Sequence, residues 1–425
     1  MHDHDELDYL YSLQKFGIKF GLSATAELLQ RLGNPQSGRR CVHIAGTNGK
    51  GSVAVFLASI LQQAGYTVGL YTSPHLVRFR ERFQINFQEI DREQVLRLAR
   101  KVRRVIQEQE PPTFFEAVTA MALVYFAEAD TDLDIIETGM GGRLDATNLV
   151  QPLITVITNV SLEHQAYLGT SLEAITREKA GVIKSGVPVV SGATQTKARQ
   201  ILQAAAAEHK APLYFAGRDF RSRKTKTGLH YFGLKQRLNR LRLGLPGAHQ
   251  AQNASLALAG MELLADQGIS TDAASWRRGL EQARWPGRMH LLPGPPRILL
   301  DGAHNAAAVK SLSRALQQEW TFSRLLLVIG IMADKDAQAM LGALLPLADR
   351  VIFTRPVYER AMDPLRLQAL GRAWAVPGEV IQPLERALEA ARHWAGANDL
   401  IVVTGSLFTV GEALSCLDPV RYAPD

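Results

Sequence analysis

A glycine-rich segment between a strand pattern and a helix pattern constrains the fold of this chain most. The segment reads Gly46-Thr47-Asn48-Gly49-Lys50-Gly51-Ser52. The apolar run from Val42 to Ala45 predicts a strand before it, and the pattern from Ser52 to Gln63 predicts a helix that stops before Gly65. In such a unit the backbone N–H groups of the turn and the helix N-terminus can hold phosphates, and Lys50 would neutralise phosphate charge. The segment therefore predicts a phosphate site in an α/β fold.

The segment departs from the common phosphate-loop pattern G-x-x-x-x-G-K-[ST]. Ile44 occupies the first glycine position, and Gly51 separates Lys50 from Ser52. A glycine-rich turn by itself would also suit a purely structural role. The strand-turn-helix context favours phosphate binding over that alternative.

Short β-branched runs alternate with helical patterns along the whole chain, which is typical of βαβ units around a mostly parallel sheet. The predicted strands lie at residues 42–45, 68–71, 133–136, 154–158, 298–300, 325–329, 351–353 and 400–403. A chain of 425 residues exceeds the size of one core, and Pro286 and Gly287 disfavour a continuous helix between the two groups of strands. We predict a doubly wound, mostly parallel phosphate-loop-type domain at 1–286 and a smaller Rossmann-like α/β domain at 287–425.

Composition excludes several other classes of protein. Hydrophobic residues make up 46% and charged residues 21% of the chain, as in ordinary globular proteins. Cys41 and Cys416 are the only cysteines, so the sequence supports neither a disulfide framework nor a cysteine zinc site. The acidic amino terminus and the lack of an apolar run of roughly 18 residues argue against a signal peptide and a membrane span. We expect a cytoplasmic protein without a membrane partner.

Charge is unevenly distributed. The net charge is +7, and basic residues concentrate in Arg97 to Arg104 and in Arg221 to Arg242. Such stretches could bind nucleic acid. A solvated helix face for the first and an exposed hairpin for the second are the favoured interpretations, so we predict no nucleic-acid partner.

Further motifs follow the predicted strands in a fixed order. They are Thr72-Ser73-Pro74-His75-Leu76, ETGMGGRLDATN at 137–148, Glu163-His164-Gln165, REKAG at 177–181, PGAHQAQNA at 246–254, Trp285-Pro286-Gly287-Arg288, Asp301-Gly302-Ala303-His304-Asn305 and Thr404-Gly405-Ser406. With the glycine-rich segment they resemble the folate branch of the Mur ligase family over nearly the whole chain. The resemblance implies an ATP-dependent, ADP-forming ligase that joins L-glutamate to dihydropteroate or to the glutamate tail of a reduced folate.

The chemistry of amide formation fits these motifs. A carboxylate is a poor electrophile, and transfer of a phosphoryl group to it gives an acyl phosphate that an amine can attack. Charge gathers at the phosphates, which calls for cations held by hard oxygen ligands or by imidazole. The resemblance implies two Mg2+ sites held by Ser73, Glu137, His164 and Lys179, the last as a carbamate. It makes Lys50, His164 and Lys179 the catalytic residues.

The resemblance also implies the remaining binding residues. ATP would contact the 46–52 segment together with Asn253, Arg288 and Asp301. Dihydropteroate would contact Thr113, Phe115 and Asp145, and the incoming glutamate would contact His304 and Ser406. Two alternatives come from the residues themselves: Asn253 could cap a helix, and Asp145 could merely brace its loop. Because both domains contribute to these sites, we expect them to close before reaction.

Two positions depart from the family pattern. Ala306 stands where many relatives have proline, which leaves the start of the following helix open, and Glu163 replaces the commoner aspartate before His164. Other functions remain as alternatives: a cell-wall Mur ligase, an enzyme restricted to polyglutamate extension, and a nucleotide-binding regulatory protein. We expect a monomer.

Overall fold

The computed structural model describes residues 4–17, 19, 21–106 and 111–425. Met1 to Asp3, part of the acidic amino terminus noted above, lie outside the described residues. The described chain divides into two compact units. The first unit comprises the residues up to His75, Arg80–Gly244 and Gln250–Ala283, and the second comprises Leu76–Phe79, Leu245–His249 and Arg284–Asp425. The sequence did not indicate that two short internal segments would join the second unit.

The first unit contains ten α-helices among the described residues. They are α1 (His4–Ser12), α2 (Ser23–Arg31), α3 (Lys50–Gln63), α4 (Arg92–Val105), α5 (Phe114–Glu128), α6 (Gln165–Leu168), α7 (Leu172–Ala180), α8 (Thr196–Glu208), α9 (Gln250–Asp266) and α10 (Ala273–Gln282). The strands of the main sheet are β1 (Cys41–Ala45), β2 (Val68–Tyr71), β3 (Phe83–Ile85), β4 (Gln88–Glu89), β5 (Leu133–Glu137), β6 (Ile154–Ile157), β7 (Val189–Ser191) and β8 (Leu213–Phe215).

The main sheet has eight strands in the order β4-β3-β2-β5-β1-β6-β7-β8. The strands from β2 to β8 in that order are parallel, and β3 and β4 are antiparallel at one edge. Every residue of β1, β2, β5 and β6 is buried, because helices cover both faces of a parallel sheet. The carboxyl ends of these four strands therefore meet at one edge of the sheet, where open α/β sheets bind their ligands.

The second basic stretch forms more than the predicted hairpin. It makes an antiparallel sheet of three strands, β9 (Arg221–Thr225), β10 (Gly228–Phe232) and β11 (Arg237–Leu241). A hairpin alone would leave apolar side chains uncovered. Here the buried Tyr231 hydroxyl donates a hydrogen bond to Glu262 of α9 over 2.8 Å, which attaches the small sheet to the rest of the unit.

The first basic stretch lies on α4, in agreement with the predicted helix. Arg97 and Lys101 both form ion pairs with Glu128 of α5, at 2.6 and 2.7 Å. Part of its charge is therefore neutralised within the unit.

The second unit is a six-stranded sheet with helices. Its strands are β12 (His290–Leu292), β13 (Arg297–Asp301), β14 (Leu325–Ile329), β15 (Arg350–Phe353), β16 (Gly378–Val380) and β17 (Leu400–Thr404). The strand order is β12-β13-β17-β14-β15-β16, with only β12 antiparallel. Its helices are α11 (Ala306–Glu319), α12 (Ala337–Leu344), α13 (Pro364–Gly371), α14 (Leu384–Trp394) and α15 (Leu407–Leu417).

The predicted fold class is confirmed: a parallel-sheet α/β unit is followed by a second, smaller α/β unit. Each strand predicted from the sequence occurs, and each of its ends matches the prediction or differs from it by one residue. Within the part of the chain described here, no helix combines the length and the apolar character that crossing a membrane requires.

Close packing of α10 against α3 depends on a glycine. A Cβ atom at Gly279 would lie 2.5 Å from Ile60 Cα and 2.6 Å from Ile60 N, so the two backbones are in direct contact. The Ser59 hydroxyl donates to the Gly279 carbonyl over 2.8 Å across the same contact. Since α3 begins at the glycine-rich segment, this packing helps to hold the helix that carries it.

Gly279→Ala is expected to lower the free energy of unfolding by about 1–3 kcal/mol, because one of the two helices must move apart. Gly260→Ala in α9 is the matched control. A Cβ there meets the terminal methyl group of the Ile154 side chain at 3.1 Å, and alanine favours the helix by roughly 1 kcal/mol. Urea unfolding of both variants measures the difference, and an equal effect of the two substitutions would contradict the packing argument.

Candidate active site

The glycine-rich loop folds tightly at the end of β1. Gly46 has φ 147° and Gly49 has φ 85°, a backbone region that favours glycine. A Cβ at Gly46 would lie 1.9 Å from Thr158 Oγ1, and a Cβ at Gly49 would lie 2.6 Å from Asn253 Oδ1. Both glycines are therefore required by conformation and by space.

The backbone of Asn48 is clamped by the end of β6. Asn48 N–H donates to Asn159 Oδ1 over 3.0 Å. The Asn48 carbonyl accepts from Asn159 Nδ2 over 2.8 Å and from Thr158 Oγ1 over 2.7 Å. A fourth contact joins Thr47 N–H to the Asn159 carbonyl over 3.0 Å. The loop is thus fixed by the strand next to its own.

The helix after the loop starts earlier than predicted. It begins at Lys50 instead of Ser52, because Gly49 in the left-handed conformation already serves as its N-cap residue. The first turn of α3 therefore follows the glycine loop directly, and its backbone N–H groups lie at the positive end of the helix dipole.

Lys50 folds back over the loop. Its Nζ donates to the carbonyl oxygens of Gly46 at 3.2 Å and Thr47 at 3.3 Å. It also lies 3.9 Å from Glu137 Oε1, the carboxylate at the end of β5. A cation and a buried carboxylate thus sit side by side at the carboxyl edge of the sheet.

Asn253 does not cap a helix. It lies inside α9, 5% exposed, and its Nδ2 donates to Gln250 Oε1 over 2.9 Å. Gln250 Nε2 in turn donates to the Ser52 hydroxyl over 3.2 Å. The first turn of α9 therefore packs on the phosphate loop through Asn253 and Gln250, and the capping alternative is wrong.

The four residues predicted to hold Mg2+ follow strands or a helix of the first unit. Ser73 follows β2 and is half-buried, and Glu137 ends β5 with an exposed fraction of 5%. His164 precedes α6 with φ 49°, and its Nε2 lies 3.7 Å from Glu163 Oε1. Among the described residues no group of three or more His, Cys, Asp or Glu side chains is arranged as a metal site. Of the four predicted ligands, only Glu137 and His164 belong to those residue types. The other two are Ser73 and Lys179.

Lys179 lies near the end of α7 and is buried, 2% exposed. Burial, followed by the charge of Lys50, lowers the pKa of Lys179 to about 7, against the opposing influence of Glu163 and Asp145. A lysine on a solvated helix face would be exposed, which Lys179 is not. A buried amine of this kind is largely uncharged at slightly alkaline pH.

Asp145 braces its own loop. One carboxylate oxygen accepts from Met140 N–H over 2.8 Å, and the other accepts from Thr147 N–H over 3.1 Å and from the Thr147 hydroxyl over 2.5 Å. Burial raises the pKa of Asp145 and these hydrogen bonds oppose the shift. The structure therefore assigns Asp145 a bracing role, whatever else it contacts.

Thr113 and Phe115 stand at the start of α5. Thr113 is the N-cap residue, and its hydroxyl and the Glu116 side chain form a reciprocal capping box. The Phe115 ring packs against Gly139, where a Cβ would lie 2.5 Å from its Cζ atom. This contact brings Phe115 to the loop that contains Asp145.

In the second unit, Arg288 and Asp301 contact the same short segment. Arg288 Nη1 donates to the Gly302 carbonyl over 3.4 Å. Asp301 ends β13 and accepts from Met289 N–H over 2.8 Å and from Ala303 N–H over 2.9 Å. The carboxylate is 6% exposed and fixes the turn that follows its strand.

His304 and Ser406 lie after β13 and β17, which are neighbours in the sheet. His304 Nδ1 is 2.8 Å from the Gly302 carbonyl. Ser406 is the N-cap of α15, and its hydroxyl oxygen accepts from Thr409 N–H over 2.9 Å. Asn305 caps α11, which begins at Ala306, so the missing proline does not shift the start of this helix.

Matches to known proteins cover both units. The family described as Mur ligase middle domain matches residues 44–261, and the family described as Mur ligase, glutamate ligase domain, matches residues 287–407. The chain belongs to the Mur ligase family.

Relatives of this Mur ligase family member extend over nearly the full chain. The dihydrofolate synthase/folylpolyglutamate synthase of Bacillus subtilis is 37% identical over 96% of this chain and 97% of its own length. Among solved structures, Escherichia coli FolC in complex with DHPP and ADP has a TM-score of 0.91, 31% identity and 98% coverage of both chains. Mycobacterium tuberculosis folylpolyglutamate synthase complexed with ADP and AMPPCP has a TM-score of 0.90, 30% identity and full coverage of both chains.

Several contacting residues were missed at the level of sequence. Thr158 and Asn159 hold the phosphate loop, and Glu116 completes the cap with Thr113. The strand pattern at 154–158 carried a usable signal, since polar residues directly after a buried parallel strand lie at the ligand-binding edge. Glu116 could have been found from the T-x-x-E capping box.

Lys179→Met is expected to raise the free energy of unfolding at pH 6 and to raise it less as the pH approaches 10. The folded protein binds the Lys179 proton near pH 7 and the unfolded chain near pH 10.4. Below both pKa values the unmodified protein bears the full cost of burying an ammonium. Between the two pKa values the unfolded chain holds more protons than the folded protein, so the stability of the unmodified protein increases as the pH rises.

Urea unfolding from pH 6 to pH 9.5 in bicarbonate-free buffer measures this effect, with the exposed Lys226→Met as the control. A stability difference between Lys179→Met and the unmodified protein that stays constant over this range would contradict the assigned environment of Lys179.

Proposed function

We propose that this Mur ligase family member joins L-glutamate to dihydropteroate and to the glutamate tail of reduced folates, with ATP converted to ADP and phosphate. The observation that carries the proposal is the phosphate loop with Lys50 3.9 Å from Glu137 at the carboxyl edge of the sheet. The relative from Bacillus subtilis is named for both activities. An enzyme that only extends polyglutamates is the second candidate, and it differs at the pterin substrate.

The reaction proceeds in two steps. A carboxylate oxygen of the folate substrate attacks the γ-phosphorus of ATP, the bond to the β-phosphate oxygen breaks, and ADP leaves with the electron pair. The amine of glutamate then attacks the carbonyl carbon of the acyl phosphate, loses a proton and expels inorganic phosphate. Lys50 and the N–H groups that begin α3 stabilise the negative charge that gathers on the phosphoryl group.

Mg2+ fits the donor chemistry of this edge. A serine hydroxyl, a buried carboxylate and an imidazole, from Ser73, Glu137 and His164, are ligands that Mg2+ sites accept when phosphate oxygens complete the shell. When bound, Mg2+ would neutralise phosphate charge and polarise the oxygen atoms of the transferred group. Glu137 ends a buried strand, so its position is held by the sheet.

In this proposal Lys179, in the form of a carbamate, supplies a ligand for the second Mg2+. An uncharged amine attacks CO2, forms an N–C bond and releases one proton. Its burial and the pKa near 7 make the uncharged amine available near neutral pH. The product carries a negative charge, which removes the repulsion between Lys179 and Lys50.

The second unit contributes contacts to ATP and glutamate in this proposal. Arg288 contacts phosphate and Asp301 contacts the ribose, and His304 and Ser406 bind the incoming amino acid. His304 and Ser406 follow neighbouring strands of one sheet, which is consistent with a shared ligand. Asn253 contacts the nucleotide from the first turn of α9, where it already packs on Gly49.

Release of inorganic phosphate tests the proposed function. Phosphate is expected only when ATP, L-glutamate and either dihydropteroate or a tetrahydrofolate are all present. Phosphate release without a folate substrate, or with a cell-wall precursor nucleotide in its place, would contradict the proposal.

Lys50→Ala is expected to lower kcat by at least a hundredfold. The substitution removes a positive charge that stabilises the transferred phosphoryl group in the transition state by about 3 kcal/mol. The exposed Lys226→Ala is the control and keeps its rate. The fold is checked by thermal unfolding, and near-normal ligation by Lys50→Ala would refute the assignment of the phosphate loop.

Asp145→Ala is expected to damage dihydropteroate ligation more than extension of a tetrahydrofolate. Its carboxylate accepts hydrogen bonds, as the donor edge of a pterin requires, and the Phe115 ring packs on the same loop. Steady-state kinetics on the two substrates measure the selectivity. Equal losses of activity on the two substrates would show that Asp145 only braces its own loop.

A further inference from the structure

A buried histidine stands in the strand that leads into the phosphate loop. His43 is fully buried at the centre of β1, a strand that is otherwise made of small or apolar residues. Its backbone pairs with Ile136 of β5 and Thr155 of β6. Burying an imidazole in the middle of a parallel sheet is unfavourable unless its polar atoms find partners.

One ring nitrogen of His43 has a partner in the pterin loop, which we define as residues 139–149. His43 Nε2 lies 2.8 Å from the hydroxyl of Thr147. The same hydroxyl lies 2.5 Å from Asp145 Oδ1. The three side chains therefore form a continuous chain from β1 to the carboxylate at the start of the loop's last turn.

The direction of this chain follows from the chemistry of its members. Both Asp145 carboxyl oxygens accept from backbone N–H groups, Oδ2 from Met140 and Oδ1 from Thr147, so Oδ1 is an acceptor and the single Thr147 hydroxyl proton is donated to it. Thr147 Oγ1 must then accept from His43, which fixes the His43 tautomer with its proton on Nε2. Burial, followed by the charge of Lys184, lowers the pKa of His43 to about 3, so the ring is a neutral donor.

The other ring nitrogen is left unsatisfied. Within the described residues His43 Nδ1 is buried and has no hydrogen-bond partner. A leucine or valine at this position would fill a strand in the core without that cost. Among the residues that the structure describes, His43 hydrogen-bonds to one other side chain, that of Thr147, so that contact is what a histidine adds here.

We propose that His43 is a positioning residue for the pterin substrate: its Nε2–H holds the Thr147 hydroxyl, which orients the Asp145 carboxylate toward dihydropteroate. This inference rests on the proposed function, because it requires Asp145 to contact the pterin. In this proposal β1, the strand that leads into the phosphate loop, also supports the pterin loop.

The test compares two substitutions of similar length. In His43→Gln the amide Nε2 sits as many bonds from Cα as the histidine Nε2 and retains the donor, whereas His43→Met has the same length without a donor. His43→Met is expected to raise KM and the Kd for dihydropteroate about fivefold to tenfold, as the loss of one buried hydrogen bond would. KM for a tetrahydrofolate and kcat with it stay within about twofold, and His43→Gln restores most of the dihydropteroate affinity.

A double-mutant cycle separates positioning from simple core packing. If His43 acts through Asp145, then His43→Met adds no further loss in an Asp145→Ala background. Equal losses on both substrates, additive losses in that background, or no recovery in His43→Gln would each overturn the inference. Binding of dihydropteroate without ATP supplies a readout that does not depend on turnover.

A second pair of variants covers the case in which His43→Met does not fold, as judged by thermal unfolding. Thr147→Ser retains the hydroxyl and Thr147→Val removes it, so only Thr147→Val is expected to weaken the binding of dihydropteroate. Indistinguishable effects of serine and valine would also overturn the inference. If the unmodified enzyme fails to turn over dihydropteroate at all, the proposed bifunctional activity fails instead, and that result is visible before any variant is made.

Discussion

The hydrogen bonds between Asn48 and the end of β6 are the constraint on which the rest of the first unit depends. They fix the backbone of the phosphate loop from a neighbouring strand: Asn159 bonds both the N–H and the carbonyl of Asn48, and Thr158 donates to the same carbonyl. Backbone atoms held in this way cannot rearrange when a phosphate arrives, so their dipoles are already oriented. Glycine is needed at 46 because a side chain there would collide with Thr158, and at 49 because a side chain there would collide with Asn253 of α9.

From this loop the other functional groups are placed by the sheet. β1 leads into the loop, β5 ends in Glu137 beside Lys50, and β2 leads to Ser73. A parallel sheet brings these strand ends to one edge without any further specification. Lys179 comes from a helix instead, and its burial near Lys50 gives it a chemistry that an exposed lysine lacks. The unit thus combines a rigid loop, the proposed phosphate site, with groups whose charge depends on their burial.

The sequence predicted the elements whose signal is local. Strands β2 and β14 match their predicted bounds because they are short apolar runs buried on both faces. It could not predict that α3 begins at Lys50, because a left-handed Gly49 as the cap depends on contact with Asn253 far along the chain. The Asn159 clamp was missed for the same reason, because Asn159 holds a loop residue that is distant in sequence. The third strand of the basic sheet was missed although it pairs with the neighbouring β10. Thr113 caps a helix and Asp145 braces a loop, both through partners close in sequence. For Thr113 the capping-box motif indicated this role.

An oxygen-isotope experiment tests the central claim most directly, that the enzyme activates a folate carboxylate by phosphorylation. Dihydropteroate labelled with 18O in its carboxylate would be incubated with ATP and L-glutamate, and the inorganic phosphate analysed by mass spectrometry. The account predicts that each phosphate released carries one labelled oxygen, because the acyl phosphate is cleaved at its carbonyl carbon. Amide formation with unlabelled phosphate, or with AMP as the nucleotide product, would contradict it.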